Sequence, residues 1–133
     1  MKLYRSMTPA SDGSPVVARS ARALGIRTPH EAANSQPDVT AIDPDEIIQP
    51  VTGGMSVAPN DPANLPRFRR PPVLGGQGKD PVWEIDTADL GDELQFKQDS
   101  PTHGLIEPAG PMTLKEFEQA LAATRAKWVR HTG

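Results

Sequence analysis

An α+β fold is predicted for this chain by three observations. Short β-type runs are separated by turn residues, one amphipathic segment near the end carries a complete helix-start signature, and the elements follow in a mixed order. A strand and a helix open the sequence, several strands follow, and a helix closes it. With 133 residues, the sequence is expected to form a single domain, 1–133, around one core. Short twisted sheets with flanking helices and long Pro/Gly-rich loops are expected, because 15 prolines and 11 glycines interrupt both helices and ladders.

Lys2-Leu3-Tyr4-Arg5 reads as the opening strand, with Leu3 and Arg5 on one face and Tyr4 on the other, so that Arg5 projects from a fixed element. Ser14-Pro15 has the form of an N-cap followed by proline at the first helical position. Val17, Ala18, Ala21 and Leu24 then keep helical spacing until Gly25, which predicts a helix. Residues 28–50 are polar and broken by Pro29, Pro37 and Pro44, which predicts a surface connection with one helical turn around 45–48. Gly53-Gly54 marks a turn into a short strand through Ser56, Val57 and Ala58, ended by Pro59.

A long loop is expected over 59–81, where prolines recur around Arg67-Phe68-Arg69-Arg70 and Gly75-Gly76-Gln77-Gly78. Strand-like residues resume at Val82-Trp83-Glu84-Ile85, Leu94-Gln95-Phe96 and Leu105-Ile106-Glu107. The last element has a capping-box spacing, Thr113 to Glu116, ahead of Leu114, Phe117, Leu121, Thr124 and Trp128 on one helical stripe.

Several chemistries are excluded by residue content. Cysteine is absent, which removes disulfides, thiolate nucleophiles and cysteine-ligated zinc, and fits a protein made in a reducing cytoplasm. His30, His103 and His131 stand singly, never at the spacing that puts two imidazoles on one helix face, so no metal site is expected. No apolar run is long enough for a signal peptide or a membrane span, so a cytoplasmic protein without a membrane partner is expected. Delivery of a folded protein into a neighbouring cell stays open.

Three motifs fail on inspection. Gly75-Gly76-Gln77-Gly78-Lys79 resembles a phosphate loop, but Val73 stands where its first glycine belongs and Asp80-Pro81 follows the lysine where Ser or Thr is needed. Arg67, Arg69 and Arg70 around Phe68 make a weak nucleic-acid footprint in an acidic chain, and Phe68 is expected to tuck into the core. Asp99, Ser100 and His103 hold the residue types of a hydrolytic triad, but triads are assembled from distant segments.

Leu3-Tyr4-Arg5, Gly53-Gly54-Met55-Ser56-Val57 and Lys97-Gln98-Asp99-Ser100, followed by His103, Ile106, Pro108, Pro111 and Met112, stand in an order that resembles the type VI secretion exported effector 2 family. The resemblance spans Leu3 to Trp128. It implies a fold similar to mono-ADP-ribosyltransferases and an intracellular bacterial toxin that transfers ADP-ribose from NAD, its substrate, to a cellular target. It also implies a cognate immunity protein as partner.

Arg5 and Ser56 resemble the arginine and serine of the wider transferase pattern, and His103 falls where the family has a histidine that can bond a ribose hydroxyl or the target group. Gly54 lets the backbone approach a ligand, and Tyr4 offers an aromatic face to nicotinamide or adenine. Met55 stands where the family carries a hydroxyl residue. Breaking the bond to nicotinamide passes through an oxocarbenium-like state, so a carboxylate is sought on chemical grounds. Glu107, at the end of a late strand, is the candidate, although the matching family position is apolar. Two other classes stay open on sequence: a non-enzymatic interaction or immunity-type module, and an NAD glycohydrolase.

Overall fold

The computed structural model describes residues 1–32 and 35–131, and its architecture is α+β, as predicted. The strands are β1 (Lys2–Ser6), β2 (Ile47–Ile48), β3 (Met55–Pro59), β4 (Val82–Asp86), β5 (Leu94–Ser100), β6 (His103–Pro108), β7 (Met112–Thr113) and β8 (Val129–Arg130). The helices are α1 (Pro29–Ala32) and α2 (Leu114–Ala123). Six strands form a sheet in the order β5-β6-β3-β1-β4-β8, and β2 pairs with β7 in a second, two-stranded sheet. Every strand pairing is antiparallel.

Period-two alternation decides which side chains enter the core. Leu3 on β1, Met55 and Val57 on β3, Trp83 and Ile85 on β4, and Ile106 on β6 share one face and pack with Phe117 and Leu121 of α2. Tyr4 and Val82 point the other way and join Ala58 and Leu65 in a second cluster. Trp83 is buried, and its Nε1 donates to the Met7 carbonyl at 2.8 Å, so the indole is a core residue. β3 and β6 approach closely because Gly54 has no Cβ: one built there would lie 2.3 Å from the Ile106 carbonyl oxygen.

The C-terminal helix begins as its sequence predicts. Thr113 Oγ1 accepts from the Glu116 amide at 3.1 Å, and Glu116 Oε1 accepts from the Thr113 amide at 3.0 Å. Trp128 is not on the helix, because α2 stops at Ala123. Thr124 caps it, donating to the Leu121 carbonyl at 2.7 Å and accepting from Trp128 Nε1 at 3.0 Å. A 3-10 turn over Arg125–Lys127 then swings the indole into the same core, and β8 follows.

Two predicted helical pieces are corrected. Residues 14–24 form an irregular loop with isolated bridges, Pro9 to Pro15 and Val17 to Leu24. Of the four apolar positions that suggested a helix, Leu24 is fully buried, while Val17 and Ala18 are exposed. The expected turn around 45–48 is instead a hydrogen-bonded turn leading into β2, and the 28–50 connection also holds α1. The 59–81 loop carries two 3-10 turns, Pro62–Asn64 and Pro72–Leu74.

Candidate active site

A cavity of about 390 Å³ opens where β1 ends and β3 begins, and Arg5, Ser56 and His103 all line it. They come from β1, β3 and β6, three adjacent strands, so the antiparallel order alone carries residues far apart in sequence to one place. The 62–70 segment forms a further wall through Asn64, Leu65, Phe68 and Arg69.

Arg5 is a buried cation, 6% exposed, held entirely by carbonyl oxygens. Nε donates to Ala23 at 3.0 Å, Nη1 to Ser56 at 2.6 Å, and Nη2 to Ser20 at 3.3 Å and Gly25 at 3.5 Å. These bonds tie the 20–25 loop to the sheet. They use four of the five guanidinium N–H groups and leave one on Nη1. Burial lowers the Arg5 pKa to about 10, so the side chain stays charged at neutral pH and adds a fixed positive field to the cavity.

Sequence reasoning missed two other lining residues, Arg27 and Asp38. Asp38 Oδ2 accepts from the Arg27 amide at 2.7 Å, and Asp38 Oδ1 accepts from Arg27 Nη2 at 3.3 Å. The carboxylate is thus already engaged. Arg69 is the opposite case: it lines the cavity and has no hydrogen-bond or ion-pair partner among the described residues. Burial, and then the charges of Arg22 and Arg27, hold its pKa below the ordinary guanidinium value. Its guanidinium lies 5.2 Å from the Phe68 ring centroid. Phe68, which the sequence reading places in the core, is instead 65% exposed at the cavity rim.

The Ser56 hydroxyl also has no protein partner among the described residues. His103 Nδ1 lies 2.7 Å from Asp99 Oδ1. Ser100 Oγ accepts from the Thr102 amide at 3.3 Å instead of reaching the imidazole, so no Ser-His-Asp triad forms.

Tyr4, Gly54 and Glu107 stand elsewhere. Tyr4 is 7% exposed and outside the lining, clustered with the lining residues Ala58 and Leu65, and its ring stands T-shaped to that of His131 with centroids 5.5 Å apart. Gly54 is used for strand packing against Ile106, and it does not line the cavity. Glu107 is 1% exposed and outside the lining; its Oε2 accepts from the Val51 amide at 3.1 Å and its Oε1 from Gln95 Nε2 at 2.8 Å. Val51 has φ 65, a conformation uncommon for a β-branched residue, and the Glu107 carboxylate holds that turn in place. Glu107→Ala is expected to cost about 2–4 kcal/mol by orphaning these donors, a lower melting temperature in a thermal scan being the check.

The glycine loop makes no phosphate cradle. The amides of Gly75, Gly76, Gln77 and Gly78 all donate to carbonyls within the same loop. At Gly76 a Cβ would lie 2.2 Å from the Arg70 carbonyl oxygen, so the glycine is there to let two backbones meet.

No curated protein and no solved structure matches the chain. The model of one family, described as Tse2 ADP-ribosyltransferase toxin, matches residues 2–130, nearly the whole sequence. A basic cavity lined by the β1 arginine and the β3 serine accords with that match, and the chain belongs to the Tse2 ADP-ribosyltransferase toxin family.

Proposed function

We infer that the protein binds NAD in the 390 Å³ cavity and transfers its ADP-ribose to a target inside the intoxicated cell, with a cognate immunity protein as its antagonist. The observation that carries this reading is the Arg69 guanidinium, left without a hydrogen-bond or ion-pair partner among the described residues in a cavity that already holds Arg5 and Arg27. A cation kept free at such a place needs an anion, and a pyrophosphate supplies one with several acceptors. Phe68 is placed to stack on a base beside it.

In this arrangement the Ser56 hydroxyl bonds the nicotinamide ribose and fixes the angle of its C1–N bond. That bond breaks with its electron pair going to the nicotinamide nitrogen, which loses its positive charge. The ribose carbon, left oxocarbenium-like, then bonds the acceptor. Family membership favours transfer over a non-catalytic interaction module or simple NAD hydrolysis.

Incubating the purified protein with isotopically labelled NAD and a cell lysate tests the reading, with mass spectrometry for ADP-ribosylated product against free ADP-ribose. Attached ADP-ribose is the expected result; free ADP-ribose alone would overturn it. Ser56→Ala should leave stability within about 0.5 kcal/mol and reduce transfer at least tenfold, because the hydroxyl orients substrate and has no hydrogen-bond partner among the described residues. A variant with full transfer would remove Ser56 from the site.

A further inference from the structure

The β5-β6 hairpin contains a defect that serves the cavity. Gln98 pairs with Gly104 and Ser100 pairs with His103, so two steps along β5 match one along β6 and Asp99 is the extra residue. A bulge of this kind leaves one residue out of the ladder and turns its side chain aside. Here the side chain is turned onto His103, with Asp99 Oδ1 at 2.7 Å from Nδ1. The two side chains are 49% and 43% exposed, and an ion pair that open to water adds little to stability. Its consequence is the tautomer: a carboxylate only accepts, so in the neutral ring Nδ1 carries the proton and Nε2 has the lone pair.

The charges of the cavity that His103 lines limit what it can act on. Arg5 from β1, Arg27 and Asp38 from the loops, and Arg69 from the 62–70 wall line the same cavity as His103, three cations against one carboxylate. A cationic guanidinium acceptor would be repelled there. It would also find no free carboxylate among the described residues of the lining, since Asp38 is bound to Arg27. A neutral hydroxyl meets neither obstacle, and it has a proton that a neutral imidazole can take.

We propose that Asp99 is a positioning residue that holds His103 with Nε2 free, and that His103 takes the proton from a neutral hydroxyl to which the ADP-ribose is transferred. The proposal rests on the transfer reading above. The acceptor O–H bond breaks, its oxygen bonds the ribose carbon, nicotinamide departs with the glycosidic electron pair, and the proton rests on His103 as imidazolium beside Asp99 until water removes it. Asp99 assists the step through His103 and does not itself touch the reacting atoms.

Four measurements on the full chain test this. In wild type, nitrogen NMR should find the His103 ring in the Nδ1-protonated tautomer, and Asp99→Asn, whose amide can donate to Nδ1, should shift it towards the other. Asp99→Asn should lower kcat for transfer about tenfold with KM for NAD and the melting temperature unchanged, and His103→Gln about a hundredfold. In the His103→Gln background, Asp99→Asn should add nothing. Label transferred from labelled NAD in a lysate should resist both neutral hydroxylamine and mercuric ion, as an O-glycoside does. Full kcat in Asp99→Asn, or a loss that persists without His103, would overturn the positioning role. Label released by hydroxylamine or mercuric ion would overturn the hydroxyl acceptor. NAD consumed to free ADP-ribose, with no acceptor labelled, would overturn the transfer reading and the acceptor with it, and the NMR result separates that failure from one confined to Asp99.

Discussion

A protein ending at Pro111 is expected to be unfolded and inactive. The deletion removes Leu114 and Phe117, each fully buried, with Leu121 at 1% and Trp128 at 3% exposure. Each large core side chain is worth roughly 3 kcal/mol, so the four together rival the roughly 5–15 kcal/mol that stabilises a domain. Two edges open at the same time. Among the described residues β2 loses its only partner, β7, and β4 loses β8. Circular dichroism on the truncated protein and a growth assay in cells expressing it are the checks, and a truncated protein that stays folded and toxic would show that α2 and Trp128 are dispensable to the core. Phe117→Ala, a milder change at a residue with no exposure, should cost about 3–5 kcal/mol and leave a folded but weakened protein.

Elements with a local cause were legible in the sequence. The five longer strands follow period-two patterns or turn residues that lie within them, and α2 starts where Thr113 and Glu116 satisfy each other's amides, a relation confined to four residues. Elements whose cause is distant were not. β2 and β8 are each two residues long and exist because β7 and β4 lie beside them. The 14–24 segment has a respectable N-cap and spacing, yet the carbonyls of Ser20 and Ala23, and of Gly25 just beyond, are claimed by Arg5. Tertiary hydrogen bonds therefore replace the helical ones, and local propensity yields.

The candidate site divides in the same way. Arg5, Ser56 and His103 were found through a family resemblance and a chemical requirement, and they line one cavity. Arg27 and Asp38 gave no signal, because their pairing is seen only once the fold brings the two residues together. Arg69 and Phe68 were noticed as a basic-aromatic cluster, but their exposure at the rim could not be read from composition. Glu107 shows the reverse case. A carboxylate at a strand end has the right chemistry, but the Glu107 side chain is buried on β6 outside the cavity lining, bonded to Gln95 on β5 and to the Val51 amide.

Arg5→Ala is expected to abolish activity through lost stability, Arg69→Ala only to weaken NAD binding, and the two variants separate scaffold from ligand binding. Removing Arg5 leaves the carbonyls of Ala23, Ser56, Ser20 and Gly25 without their donor and empties a buried volume beside the sheet. Removing a buried hydrogen-bonded charge commonly costs about 3–5 kcal/mol, which at roughly 3–4 °C per kcal/mol for a chain of this size lowers the melting temperature by about 10–20 °C. Arg5→Lys should recover little, because one ammonium has three donors on a flexible stem and cannot span four carbonyls arranged for a planar fork. Arg69 has no such partners among the described residues, so Arg69→Ala should melt within about 0.5 kcal/mol of wild type while weakening NAD binding by about 1.5–3 kcal/mol, a factor of ten or more. Melting curves beside NAD titration of both variants decide the matter. Equal stability of Arg5→Ala and wild type would show that the four carbonyls find water instead, and Arg5 would then act through its charge alone.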